Sequence, residues 1–307
     1  RQGGDVMLVP YRVWQYVATT PWAMTAEKLA EVVAVLSFRA SGGLLSPEDI
    51  AAIAGDRTES RSRGAVAVIP LRGMIAHRMG SLDESSGGMS VERFDRMITA
   101  AMGDASISEV LIDVDSPGGA VTGVHEMHAR LMQLKGRGAK RIVAIANGMM
   151  ASAAYWIASA ADEIVAIPSA TVGSIGVFSV HEDLSERAKQ LGIKVSLISA
   201  GRHKTEGNPF EPLTDEGRAQ MQHRVDEAYA SFVSDVARGR RVAVKDVTSG
   251  YGEGRALGAR DALAAGLIDR IATPDETIAR LTGVTSRLSH RAALSAAPGL
   301  EKIFRQP

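Results

Sequence analysis

The sequence predicts an α/β domain built around a parallel sheet, and three observations carry that expectation. Short apolar runs of strand length recur through the middle of the chain: EVLIDVD (109–115), RIVAIAN (141–147), EIVAIP (163–168) and IKVSLIS (193–199). Segments with helical spacing, 91–103, 121–135, 151–161 and 183–191, separate most of them. Two strands also run through glycine straight into a helix, at LIDVDSPGGAVTG and at IVAIANGMMASAAYW. Strands alternating with helices give parallel pairing, because a parallel partner needs a long crossover and a helix supplies it.

In chain order, residues 1–63 read as a helical amino-terminal extension and linker. TPWAMTAEKLAEVVAVLSF offers Thr25 as a cap, Glu27 in the first turn and apolar residues at helical spacing. SGGLLSPEDIAAIAG adds a loop and a short helix capped by Ser46, with Pro47 in its first position. DRTESRSRG is a polar linker. The α/β pattern then occupies 64–281. It opens with AVAVIPL, a strand in which Pro70 marks an end or an edge position. A long helical stretch, 214–238, follows the last strand. The tail, 282–307, has weak periodicity and reads as disordered or partner-bound.

Composition narrows the class. The 307 residues suffice for one large or two ordinary domains. Lys+Arg and Asp+Glu are equal at 35 each, so no net field favours nucleic acid or an anionic membrane. The lack of cysteine excludes disulfides, thiolate metal sites and a cysteine nucleophile. No apolar run approaches a membrane span, and RQGGDVMLVPYRVWQY lacks the apolar core of a signal peptide. The expectation is a soluble, cytoplasmic protein with no membrane anchor and no nucleic-acid partner.

The two glycine junctions are where chemistry would sit, since a parallel sheet places its sites at the carboxyl edge of its strands. Each helix start offers unpaired N–H groups and the positive end of a macrodipole, suited to an oxyanion or to a phosphate. Ser152, set among alanines in NGMMASAAYW, is open to three readings: a packing filler, a helix cap or a nucleophile. A nucleophile needs a base. Of seven histidines, His181 in VFSVHEDLSE has the best context; His125 and His128 form HEMH, a metal-capable spacing that equally suits an exposed helix face. Lys204, in SAGRHKTEGNPFEPLT, follows the last strand candidate. A lysine acts as a base only where desolvation or neighbouring positive charge lets it shed its proton; a solvated loop charge is the other reading.

Taken together, SPGG, NGMMASAAYWIASAAD, ATVGSIGV, GRHKTEGNPFEPLT and GRALGARDALAAGLIDRI resemble, in the same order over about residues 64–275, the signal peptide peptidase A family of serine peptidases. That resemblance implies a ClpP/crotonase-like fold, with parallel strands and surrounding helices, and an endopeptidase working through an acyl-enzyme. It implies Ser152 as nucleophile and Lys204 as general base. Gly118, Gly119 and Ala153 match the oxyanion hole, with Gly119 and Ala153 giving amides and Gly118 shaping the turn. Ser174 matches a serine that orients the lysine amine. No cofactor and no metal ion is implied.

The implied partners are a polypeptide substrate and further copies of the chain, in a ring or dome with inward-facing sites. The stretch 77–90 and the helices at 121–135 and 214–238 offer surfaces for such assembly. Cellular members usually carry an amino-terminal membrane anchor. VPYRVWQYVATTPWAMTAEKLAEVV instead resembles the start of phage-encoded relatives, the prohead or capsid-assembly proteases, which points to phage capsid or scaffold proteins as partners in a host cytoplasm or prohead. One departure is alanine after Ser152 where many relatives have glycine. Three other readings stay open: a ClpP-like Ser152–His181 site, a catalytically silent scaffold module, and a crotonase-type acyl-CoA binder, which lacks a compelling carboxylate near the turns.

Overall fold

The structure, a computed structural model, describes residue 17 and residues 20–40, 61–78, 88–136 and 140–283. The helix expected after Ser46, most of the polar linker, most of the 77–90 stretch and the tail past residue 283 lie outside the described residues.

In chain order the first elements are β1 (Trp22–Met24), α1 (Ala26–Ala40), β2 (Arg61–Arg63), β3 (Val66–Arg72), β4 (Ile75–Ala76), β5 (Met89–Ser90) and α2 (Val91–Gly103). Next come β6 (Glu109–Ser116), β7 (Gly118–Ala120), α3 (Val124–Gly136), β8 (Arg141–Ala151), α4 (Ala153–Ala158), β9 (Glu163–Ala166) and β10 (Thr171–Gly173). The last are α5 (Ser185–Gln190), α6 (Asp215–Arg240), α7 (Val244–Gly250), β11 (Ala256–Gly258), α8 (Ala259–Ala264), β12 (Arg270–Ile271) and α9 (Pro274–Leu281).

An eight-stranded sheet runs β11–β10–β8–β6–β3–β2, with β9 also paired to β8 and β12 to β9. Pairing is parallel through β3, β6, β8, β9 and β10, and antiparallel only where β2 and β11 close the ends of the path. Both faces are covered, as a parallel sheet requires. The larger core lies on one face, where Ile69, Ile112 and Ala144 meet Phe94 and Ile98 of α2, Leu131 of α3, Trp156 of α4 and Phe232 of α6. On the other face Val66, Leu111, Val143 and Val165 are met by Ile278 and Leu281 of α9. The parallel α/β architecture expected from the sequence is the one observed.

Local sequence explains the element ends. Ser90 caps α2 by accepting from the Arg93 N–H at 3.2 Å, and Val91, Phe94, Ile98 and Ala101 turn one face to the core. Thr214 caps α6 through the Gly217 N–H at 3.0 Å, and Thr25 accepts from the Lys28 N–H at the head of α1. Thr273 and Glu276 form a capping box around Pro274 at the start of α9. Pro70 lies inside β3, not at its end. β2 pairs only with Val66, Ala67 and Val68, so Pro70 sits where β3 has become the sheet edge.

One expected strand is absent. Residues 193–199 carry no regular structure and lie exposed. Their apolar residues alternate as a strand requires, but nothing among the described residues offers them a ladder. One strand was also not foreseen. β1 joins a second, four-stranded sheet of order β1–β7–β4–β5, pairing antiparallel with β7 at the residues that follow SPGG's first glycine turn.

Candidate active site

Ser152 stands between the end of β8 and the start of α4, fully buried. Its backbone is left-handed, φ 55° and ψ −118°, a conformation that L-residues rarely adopt and that clusters at functional sites. Its side chain makes no capping hydrogen bond, which removes one of the three readings open from sequence. The hydroxyl Oγ instead lies 3.4 Å from the Gly176 carbonyl oxygen. The Ser152 N–H donates to the Gly173 carbonyl at 2.7 Å, tying the serine to the ATVGSIGV segment.

That tie brings Ser174 alongside. β10 pairs in parallel with β8, Gly173 opposite Ala151, so the next residue on each strand is a serine. Ser174 is buried and left-handed too, φ 53°, with its N–H donating to the Arg255 carbonyl at 2.9 Å.

The SPGG turn meets the serine from the other side. Ser116 donates its hydroxyl to the Gly73 carbonyl at 2.6 Å and accepts the Gly118 N–H at 3.2 Å. That amide is thereby used within its own turn, which leaves Gly119 and Ala153 as the amides of the three matched positions that the turn itself does not engage. Gly118 has φ +99°; a Cβ there would collide with the Ala23 carbonyl and lie 3.0 Å from the Ala153 nitrogen. A Cβ on Gly119 would collide with the Ile75 carbonyl. Two glycines are therefore needed for β7 to lie against α4 and β4 at once. Ala153 is the first residue of α4, where an N–H has no helical carbonyl to meet.

α4 is rigidly held. Trp156 Nε1 donates to Asp235 Oδ2 at 2.8 Å and its ring stacks on Phe232, centroids 4.5 Å apart. The Tyr155 hydroxyl donates to the Leu267 carbonyl at 2.9 Å. Both aromatics are fully buried beneath the serine and serve its support.

Lys204 is not brought to Ser152. It sits in an exposed turn, its N–H donating to the Gly201 carbonyl at 3.1 Å, and its ammonium pairs with no described residue. His181 is not brought there either. Its Nε2 is 3.2 Å from the Asn208 carbonyl oxygen, and it lines a cavity of about 610 Å³ with Phe178, Asp183, Arg218 and Met221. His125 pairs with Asp235 at 2.7 Å, and His128 is buried. Among the described residues, His203, Glu206 and the α6 residue Glu216 bring one donor atom each to within 4.8 Å of one another, with His203 next in the chain to Lys204 and no hydrogen bond to Ser152. Sequence reasoning passed over Gly176, whose carbonyl faces the hydroxyl, and Ser116, whose place in the quoted SPGG was its one signal.

Comparison with known proteins places the chain among peptidases. Residues 135–286 match Peptidase family S49, a stretch that includes Ser152, Ser174 and Lys204. The chain is 31% identical over 238 residues to the head-tail preconnector protein GP5 of Enterobacteria phage P21, covering 77% of this chain and 47% of that protein. It is 30% identical over 213 residues to the capsid assembly protease C of Escherichia phage lambda, covering 69% and 48%, and 28% identical over 224 residues to protease 4 of Salmonella typhi, covering 73% and 35%. The chain thus spans about half the length of the phage relatives. A solved structure, the membrane-bound stomatin-specific protease 1510-N, aligns at TM-score 0.46 and 17% identity over 71% of this chain and 84% of that one. Residues 135–286 are a domain of peptidase family S49, the signal peptide peptidase A family of serine-type peptidases.

Proposed function

We propose that the chain is a serine endopeptidase with Ser152 as nucleophile and Lys204 as general base, acting on capsid or scaffold polypeptides during phage head assembly. The observation that carries the reading is the seat of Ser152. It is buried and left-handed at the head of a clamped helix, between the Ala153 amide and the Gly118–Gly119 turn. The capsid role draws on the lambda relative's name.

The chemistry follows from these groups. A neutral Lys204 amine takes the Ser152 proton as Oγ attacks the scissile carbonyl. Charge developing on that carbonyl oxygen is met by the Gly119 and Ala153 amides. Collapse expels the amine, which receives the proton from Lys204, and leaves an ester on Ser152. Lys204 then deprotonates the water that cleaves the ester. In this reading Ser174, which follows β10 as Ser152 follows β8, steers the lysine amine. Lys204 itself rides on the exposed arm 191–204, so docking of that arm against a neighbouring copy would complete the dyad.

Fluorophosphonate labelling with peptide mapping is expected to place the adduct on Ser152. Ser152→Ala is expected to lower kcat/KM by about 10³-fold or more with the fold intact, since alanine suits this alanine-rich segment. Lys204→Ala should lose nearly as much, members of one catalytic unit being non-additive. His181→Ala should stay within a few-fold of wild type. Wild-type turnover by Ser152→Ala in a protease-free preparation would overturn the assignment, and a large loss in His181→Ala would move the base to histidine.

A further inference from the structure

The strand that the sequence did not announce joins the glycine turn to the segment after Ser174. β1 lies between two segments that frame Ser152. On one side it pairs with β7 in register, Trp22 opposite Ala120, Ala23 opposite Gly119 and Met24 opposite Gly118. On the other it bridges Phe178, two residues beyond the carbonyl that faces the Ser152 hydroxyl: the Trp22 N–H donates to the Phe178 carbonyl at 2.8 Å and the Trp22 carbonyl accepts from the Phe178 N–H at 3.0 Å. Trp22 thus turns both its polar backbone groups to Phe178, and the Pro21 carbonyl accepts the Val121 N–H at 3.2 Å. Antiparallel alternation then makes Ala23 and Gly119 the pair that exchanges hydrogen bonds. The Ala23 carbonyl accordingly points at the Gly119 amide, and a Cβ on Gly118 would lie 2.2 Å from that carbonyl oxygen and 3.0 Å from the Ala153 nitrogen. A peptide carbonyl is held where an oxyanion would form.

We infer that residues Pro21–Met24 are a resident pseudosubstrate. They fill the peptide slot by strand addition, with Ala23 in the position of the residue whose carbonyl is attacked; the inference rests on the serine-peptidase reading above. It also names the substrate class: an extended chain that enters between β7 and Phe178, with a small side chain at the position of Ala23, whose methyl is fully buried in the main core. Both flanks of the Ala23–Met24 bond are held. Trp22 is fully buried among Leu29, Ala120 and Phe178 with its Nε1 donating to the Val17 carbonyl at 2.9 Å, and Thr25 caps α1 directly after. A segment fixed on both sides blocks the slot instead of departing as product. As a tethered ligand it competes at an effective concentration on the order of millimolar.

The cysteine-free chain allows a direct test. Trp22 and Ala120 form a non-hydrogen-bonded antiparallel pair, with Cα atoms about 4.5 Å apart, within disulfide range. Trp22→Cys with Ala120→Cys in the full chain is expected to cross-link on mild oxidation. The oxidised form should react with fluorophosphonate at Ser152 about tenfold more slowly than the reduced form. Because losing Trp22 loosens the segment, Ala23→Glu serves independently: a charge forced into the core should release the strand, raising Ser152 labelling about tenfold over wild type, and a synthetic peptide of residues 19–25 should suppress it again. Equal labelling of the oxidised and reduced forms would overturn the inference, as would no cross-link together with wild-type labelling of Ala23→Glu. A chain found cut between Ala23 and Met24, and intact in Ser152→Ala, would make the segment a self-substrate and overturn it too. Cross-linking without labelling of Ser152 in any form would remove the peptidase reading, and the inhibitory role with it, while leaving the seat of the strand measured.

Discussion

Gly118 concentrates the residue-scale demands of the site. Its φ of +99° is costly for any other residue, and a Cβ would press on the Ala23 carbonyl and approach the Ala153 amide. Gly118→Ala is therefore expected to cost about 1–3 kcal/mol of stability and, by displacing the Ala153 amide, about 10²-fold in kcat/KM. Gly103→Ala, where a Cβ meets nothing within 4 Å, is the control and should change neither. Thermal melts and peptide hydrolysis measured on both variants separate the two effects; equal behaviour of the pair would show that the turn has room to spare. The residue types were legible before the structure: a serine among alanines and a double glycine after a strand. The left-handed backbone at Ser152 and Ser174 was not, because both are serines in ordinary company and the strain arises from strands on either side.

At the scale of elements, the support beneath the serine is where α3, α4 and α6 meet. Asp235 of α6 gathers Trp156, His125 and Arg238, and His128 of α3 lies fully buried with its Nδ1 3.8 Å from Asp235 Oδ1. Burial lowers the His128 pKa to about 4; Asp235 opposes that shift, while Arg238, His125 and Lys135 add to it. The unfolded chain takes the proton at about pH 6.5. Stability from the neutral, buried imidazole is thus fully present above pH 6.5 and is lost as pH falls from there to about 4. The loss should approach about 3 kcal/mol. Denaturant titrations at pH 7.5 and 4.5 should show that drop in wild type and a distinctly smaller one in His128→Gln, the carboxylates being common to both. Parallel slopes would show that His128 accepts its proton without unfolding. HEMH had read from sequence as a metal-capable pair or an exposed face; one histidine is instead core, which the helix's own weak apolar stripe does not reveal. The same scale explains β1. Three residues are too few to display a period of two, so TPWAM announced only the helix that follows it.

For the molecule as a whole, the unresolved relation is between Ser152, which is buried, and Lys204, which is exposed. Lys204 ends the arm 191–204, whose apolar residues face solvent: Leu191 is 63% exposed, Ile193 55% and Ile198 98%. Ile193, Val195 and Leu197 alternate as strand residues do, yet no strand among the described residues receives them. An unpaired, apolar, strand-like segment is a template for another chain. A second copy is the occupant that would also supply order to the lysine. Association and activity should then rise together. Wild type is expected to sediment as an oligomer at micromolar concentration and to lose specific activity on dilution. Val195→Asp with Leu197→Asp should sediment as monomer and cleave peptides at least about tenfold more slowly, each charge opposing burial in the interface. Ser152→Ala should assemble as wild type does, since it touches the chemistry alone. A wild-type monomer whose specific activity is constant across dilution would mean that the arm folds back within one chain, and that the lysine reaches Ser152 without a neighbour.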